Sequence, residues 1–271
     1  MLPTRLFDSL VQGHASRGQT FWRNAAFALA IAALIPTSAS AAEIALIGSV
    51  AFKGPLDILI PEFTKATGHH VTIWLAAGPA LARQIDSGAP CDVVVVVTPQ
   101  FDGLVKSGAA QPGSGRTLGS LDVELAYPAN APKPDISTPE KLKALVLSAH
   151  AISSSDPALG GASALYFQTV ATKLGIADAA NAKLIKTPSG DGPKPVAAGK
   201  AEIGFGMSSE VADAPGTAGE PLDPTDPKSK ITLVAATMTK AQDAAAANAL
   251  VAFLATPQAA EVIRRKGFTT P

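Results

Sequence analysis

The sequence predicts an α/β fold, with short strands of a mainly parallel sheet alternating with flanking helices. Three observations predict it. Short β-rich runs alternate with helical stretches along most of the chain. One run, residues 93–97, is five consecutive valines, as a strand buried on both faces requires. Turns at the ends of several runs carry Gly or Ser just where a helix begins.

Residues 43–47 (EIALI) read as a strand ended by Gly48-Ser49. From 54 to 67 apolar residues recur at helical spacing, and Gly68 follows as a stop. Residues 71–75 (VTIWL) form the next strand and 80–87 a short helix ending at Gly88. The valine run follows, then a helix over 100–106. In the middle, 123–127 (VELAY) is a strand and 130–138 a Pro-containing linker. A helix over 139–147 leads to a short strand at 151–154, and 163–173 is a helix closed by Leu174-Gly175. A strand at 183–186, a short helix at 194–198 and a strand at 203–207 (IGFGM) follow. Residues 215–228, rich in Pro, Gly and Asp, read as a polar loop. The chain finishes with a strand over 231–238 and helices over 241–255 and 257–266.

The N-terminus points to export. The apolar run 25–35 is preceded by Arg17 and Arg23 and followed by Pro36 and small residues, with Ala39-Ser40-Ala41 fitting an A-x-A cleavage site. Eleven apolar residues fall short of the ~20 that span a bilayer, so a cleavable signal peptide over 1–41 is the reading. The long segment before it leaves room for a later start codon. Removing residues 1–41 takes away Arg5, Arg17, Arg23 and Asp8. Lys plus Arg falls from 22 to 19 and Asp plus Glu from 22 to 21, a formal charge of −2 on residues 42–271. A nearly neutral chain without a basic patch offers no electrostatic footprint for nucleic acid. The single Cys91 excludes an internal disulfide and reads as a buried structural thiol.

The candidate chemistry lies in the strand-to-helix turns: Ser49, then Gly78-Pro79-Ala80, Gly160-Gly161-Ala162-Ser163 and Ser189-Gly190-Asp191. In open α/β sheets ligands sit beyond the carboxyl ends of the strands. Unpaired N–H groups at a helix N-terminus hold an anion there without a formal cation. Taken singly, each turn reads equally well as an ordinary cap; converging from two lobes, they make a cage for a small anion. Lys53 and Arg83 are candidate cations near these turns, although long cationic side chains usually lie solvated. His69-His70 read as an exposed turn, and no third ligand stands at metal-site spacing. P-loop, G-x-S-x-G and H-E-x-x-H signatures are absent, and no cofactor is implied.

The strand–Ser49–helix start, GPALARQIDSGAPCDVVVV, SDPALGGASALYF, AAGKAEIGFGMSSEV and the terminal ATPQAAEVIRRKGF occur in that order. In this order the chain resembles the periplasmic molybdate-binding proteins of ABC transporters and their wider set of extracellular solute-binding relatives. The most specific stretch is LARQI-x-x-GAP-x-DV, residues 81–93, and the resemblance covers essentially all of 42–271. It implies the type II periplasmic binding protein fold, with lobes at 42–124 plus 233–271 and at 125–232. It also implies hinge strands near Glu124-Leu125 and Thr232, a monomer, a small anionic ligand and a membrane permease as partners. The family's first ligand serine matches Ser49, and its backbone donors match Ala162, Ser163 and a position at Gly190 or Asp191. Its second serine falls where this chain has Gly78-Pro79-Ala80, and its donating tyrosine falls on Met207. Two side-chain donors are thus missing, and each oxyanion lone pair left unmet costs about 1–3 kcal/mol. These departures from the pattern weigh against tight molybdate binding and leave room for a larger, partly apolar ligand, so the expected ligand is a molybdate-like oxyanion or an organic carboxylate. The APKPDIS linker, residues 131–137, also resembles a subgroup that includes an aconitate isomerase. An enzyme on this scaffold would draw its base from Ser49, Ser163, Asp191 or Glu210, none in an evident activating pair. A sensor domain is disfavoured because no signalling domain follows Pro271.

Overall fold

Five valines in a row put side chains on both faces of a strand, so both faces must be covered. In the computed structural model, which describes residues 41–271 apart from residue 224, they form β3 (Val93–Val97) near the middle of one half of a nine-stranded sheet. The signal-peptide reading, apart from Ala41, lies outside the described residues. β3 sits between β1 (Glu43–Ser49), parallel to it, and β9 (Lys230–Thr237), antiparallel to it. Val93 and Val95 join the main core with Ile44 and Leu46, under α1 (Lys53–Thr67), α9 (Ala244–Leu254) and α10 (Pro257–Arg265). Val94 and Val96 join Ile47 and Leu81 in a second cluster, beneath α2 (Gly78–Asp86) and α3 (Thr98–Lys106). The two-residue period of the strand thus feeds two cores.

β2 (His70–Ala76) pairs parallel with β1 and forms the sheet's outer edge in this half. The other half contains β5 (Ile152–Ser155), with β6 (Leu184–Thr187) and β7 (Ile203–Met207) parallel on its two sides. Its helices are α4 (Pro139–Ser148), α5 (Ala162–Lys173), α6 (Ala177–Asn181), α7 (Lys194–Ala197) and α8 (Ser208–Ala212). The halves are joined by β4 (Arg116–Pro128), longer than its VELAY core suggests. Arg116–Asp122 pairs with β9, and Val123–Ala126 pairs with β7. The mixed, two-halved α/β sheet is the architecture the sequence predicts.

Two local readings need correction. The polar stretch 215–228 contains β8 (Thr217–Pro221), antiparallel to the end of β4. Its sequence, TAGEP, is poor in β-formers, so backbone pairing with β4 and not side-chain propensity holds it in place. Residues 177–181, given no element from the sequence, form the single-turn helix α6, too short to show a period.

One buried carboxylate ties the first half together. Asp92, 3% exposed, accepts from Ala45 N with Oδ2 at 2.7 Å and from Gln242 N with Oδ1 at 2.6 Å. It therefore locks β1, the start of β3 and the approach to α9. Asp92→Ala leaves two buried N–H groups without a partner, at about 1–3 kcal/mol each. A Tm lower by about 4–24 °C in calorimetry is expected, since ~1 kcal/mol is worth about 2–4 °C at this size.

A second carboxylate acts in the opposite sense. Glu124 of β4 is half-buried beside Asp122 and Glu220, which pair with Lys230 and Lys133. Burial, then the Asp122 and Glu220 charges, push its carboxyl up to about 7. A raised folded-state value means ionisation costs stability as pH rises above the unfolded value near 4.5, with the full penalty reached above 7. Glu124→Gln is expected to raise Tm by about 2–4 °C at pH 8 and to change little at pH 4; equal shifts at both pH values would show a different cause.

Candidate functional site

Strands β1, β2 and β3 run parallel in one half, and β5, β6 and β7 run parallel in the other. The carboxyl ends of all six border one cleft. It has a volume of about 470 Å³ and is lined by Ser49 after β1, Ala77, Gly78 and Pro79 after β2, and Val97, Pro99 and Gln100 after β3. Facing them are Ser155 at the end of β5, Gly160 to Ser163 at the start of α5, Ser189 and Gly190 after β6, Met207 at the end of β7 and Glu210 in α8. Pockets of ~300–1,000 Å³ suit small molecules. A tetrahedral oxyanion alone displaces only two or three waters of ~30 Å³ each.

Each wall follows from its local sequence. Ser49, 9% exposed, caps the 3₁₀ turn Val50–Phe52 by accepting from Ala51 N at 3.3 Å, which leaves its own hydroxyl hydrogen to donate. That turn is anchored by Phe52, fully buried edge-on against Phe268 at a ring separation of 5.3 Å. The N-cap of α5 is Gly161, which has no side chain to satisfy the first N–H groups of the helix. Ala162 and Ser163 therefore bring unclaimed backbone donors to the cleft at the positive end of a twelve-residue helix. Helix α2 likewise starts without a side-chain cap.

The two walls come close together at Gly78 and Gly160. Gly78 has φ +47° and Gly160 φ +72°; a Cβ on Gly78 would collide with the Gly160 carbonyl oxygen, and one on Gly160 would lie 2.6 Å from Pro79 Cδ. Glycine is needed at both positions for conformation and for closeness.

Of the sequence-predicted residues, Ser49, Gly78, Pro79, Ala162, Ser163, Gly190 and Met207 line this cleft together. Asp191 does not; it lies beside Gly190 and pairs with Lys194. The Gly190 N–H, expected as a ligand donor, instead donates to Ser155 Oγ at 3.2 Å. Lys53 pairs with Asp57, and Arg83 is exposed; neither lines the cleft. Cys91 is held inert, its thiol pushed up to about 12 by burial. His69 Nδ1 accepts from Ala42 N at 3.1 Å.

Sequence reasoning missed Gln100 and Ser155 and gave Glu210 only as a base candidate. The first two stand at or just after strand ends, so the rule that found Ser49 would have found them. Glu210 Oε2 accepts from Met207 N at 3.0 Å. Burial pushes its carboxyl up to about 7, with the Met207 N–H acting against this and the Asp191 charge adding to it. Among the described residues it is the only ionisable side chain lining the cleft.

The model of the bacterial extracellular solute-binding protein family matches residues 44–269. The chain belongs to that family. It is 31% identical over 231 residues to an aconitate isomerase from a Pseudomonas species, covering 82% of this chain and 86% of the relative. It is 32% identical over 245 residues to the molybdate-binding protein ModA of Azotobacter vinelandii, covering 88% and 94%. The solved periplasmic molybdate-binding protein of Azotobacter vinelandii superposes with a TM-score of 0.67 at 24% identity, over 84% of this chain and 99% of that one. These relatives, with the geometry above, establish the family member as a two-lobed type II periplasmic binding protein fold.

The close approach of Gly78 and Gly160 yields a direct test. Gly160→Ala adds a methyl where the walls meet and strains a positive-φ position, at roughly 1–2 kcal/mol. Ligand affinity in titration calorimetry is expected to fall about tenfold or more, whereas Gly175→Ala, also at positive φ but open to solvent, should leave affinity unchanged.

Proposed function

We propose that this protein is the periplasmic substrate-binding component of an ABC-type transporter, which closes two lobes around a small organic carboxylate. The observation that carries the reading is the convergence of six strand ends on one cleft, with the uncapped α5 N-terminus and the Ser49 hydroxyl facing it. Such a site binds negative charge through fixed dipoles. Residues 42–124 with 233–271 form one lobe and 125–232 the other, with β4 and β9 as the hinge strands. The exported protein, cleaved after Ala41, is a monomer that delivers its ligand to a membrane permease.

A carboxylate is preferred over molybdate on two grounds. Gly78-Pro79-Ala80 and Met207 supply no side-chain donors, while buried oxyanions need every lone pair met. The 470 Å³ cleft, walled by Val50, Leu81, Val97 and Met207, suits carbon between the charged groups. In titration calorimetry with molybdate, sulfate, citrate and both aconitate isomers, a carboxylate is expected to bind at least tenfold more tightly than molybdate. At a hundredfold excess over Kd it adds about 2.7 kcal/mol of stability. Molybdate as the tightest ligand overturns the carboxylate assignment, and silence across the panel overturns the binding role.

A second reading, an isomerase acting on aconitate, is favoured by Glu210. As the cleft's only ionisable side chain among the described residues, it is the sole carboxylate placed to take an allylic proton; the double bond shifts, and a proton is returned at the far carbon. This requires Glu210 to enter the complex ionised, so conversion would rise with pH through about 7. Proton NMR of trans-aconitate incubated with the protein decides: absence of the cis isomer retires the enzyme.

A further inference from the structure

A cleft that gathers helix N-termini for an anion holds, as its single ionisable side chain among the described residues, an acid. No described lysine or arginine lines it, so an ionised Glu210 would face the ligand's charge with nothing between to offset it. The charged groups on the surrounding elements are Asp191 of the β6–α7 turn, Asp122 and Glu124 of β4, Glu220 of β8, Asp213 just after α8 and Lys53 at the start of α1. Their cations are already engaged: Lys194 with Asp191, Lys230 with Asp122, Lys133 with Glu220, Lys266 with Asp213 and Lys53 with Asp57.

The position of the acid is built. Oε2 is fixed by the Met207 N–H at 3.0 Å, and no second protein hydrogen bond holds the carboxyl among the described residues. Room for it comes from Gly206, where a Cβ would lie 2.8 Å from that oxygen and 2.7 Å from Pro193 Cγ. The carboxyl is thus clamped at one oxygen, on the cleft wall, beside Met207.

We infer that the cleft takes up a proton together with its anion, and that Glu210 receives it and, as a neutral acid, donates a hydrogen bond to a ligand oxygen. The proton comes from bulk solvent and returns there on release. This rests on the anion-binding reading above. The acid would supply the donor that Met207 cannot, while removing the repulsive charge. Burial already brings the free carboxyl close to neutrality, to about 7, and a bound anion shifts it further in the same direction. The complex then holds more protons than the free protein, so affinity falls as pH rises.

The test is titration calorimetry of the protein with trans-aconitate and with molybdate, at pH 7.0 and pH 8.5, each in two buffers of different ionisation enthalpy. Above pH 7 ordinary carboxylic acids are fully ionised, so any proton taken up belongs to the protein. Uptake of about half a proton at pH 7.0 and close to one at pH 8.5 is expected, with affinity about tenfold weaker at the higher pH. Glu210→Gln, which keeps the donor and loses the charge, should bind without proton uptake, independently of pH, and about thirtyfold tighter than the unmodified protein at pH 8.5. Binding with no proton uptake overturns the inference and leaves the anion-binding reading intact, whereas absence of binding by either probe removes both. Affinity rising with pH, the signature of a cationic partner for Glu210, overturns it as well. If Glu210→Gln fails to fold, the proton count on the unmodified protein decides; a pH slope persisting in folded Glu210→Gln assigns the proton elsewhere.

Discussion

Strand direction is the constraint on which the rest of this molecule depends. A parallel strand ends where its crossover helix begins, so each strand end delivers a helix N-terminus with its unpaired N–H groups to the same edge of the sheet. In this chain three such edges in one half face three in the other, and the 470 Å³ cleft is the space between them. The site is therefore built chiefly from small residues at turns. The preference for negative charge proposed for it would come from backbone dipoles that the fold cannot avoid placing there.

Holding such turns in register falls to residues outside the cleft. Asp92 ties the bases of β1 and β3 to the chain entering α9, so the carboxyl ends of those strands extend from a fixed origin. At the Ser49 end, Phe52 stacks edge-on against Phe268, which the C-terminal segment brings in after Gly267 at φ +81°. Ser208 Oγ, at the start of α8, donates to Gly267 O at 2.6 Å. One C-terminal turn thus braces the Ser49 turn on one side and the helix that carries Glu210 on the other. The two walls of the cleft share this support.

The sequence made the strands and most turns legible because they rest on local signals. Five valines admit one reading, and Gly-Ser turns before apolar helices mark strand ends wherever they occur. What it concealed depended on tertiary partners. TAGEP becomes a strand only because the end of β4 offers free backbone groups. Gly190 lines the cleft as expected, yet its N–H is claimed by Ser155, 35 residues away, a pairing with no trace in local spacing. Asp191 is turned to Lys194 by the short α7 turn, so an adjacent residue of apt chemistry falls outside. Glu210 reads from the sequence only as a base candidate, and its side chain caps α8; that this cap also borders the cleft depends on where β7 ends relative to β1.

The composition of the cleft bears on selectivity. A cage made only of backbone N–H groups and hydroxyls recognises negative charge and hydrogen-bond acceptors but discriminates poorly among anions of similar size. Side-chain donors at fixed points would narrow the choice, and this chain carries Gly78-Pro79-Ala80 and Met207 at the two places where the resemblance calls for them. What remains to discriminate is shape and polarity: Val50, Leu81, Val97 and Met207 on the walls, and the acid of Glu210 at one end. On the proposed reading such apolar walls disfavour a compact, strongly hydrated oxyanion, whose desolvation they do not repay, and favour a ligand whose charges are separated by carbon. On the proposed reading, replacing two donors by apolar or bare positions therefore moves the preference of the same backbone cage from inorganic to organic anions without altering the fold that builds it.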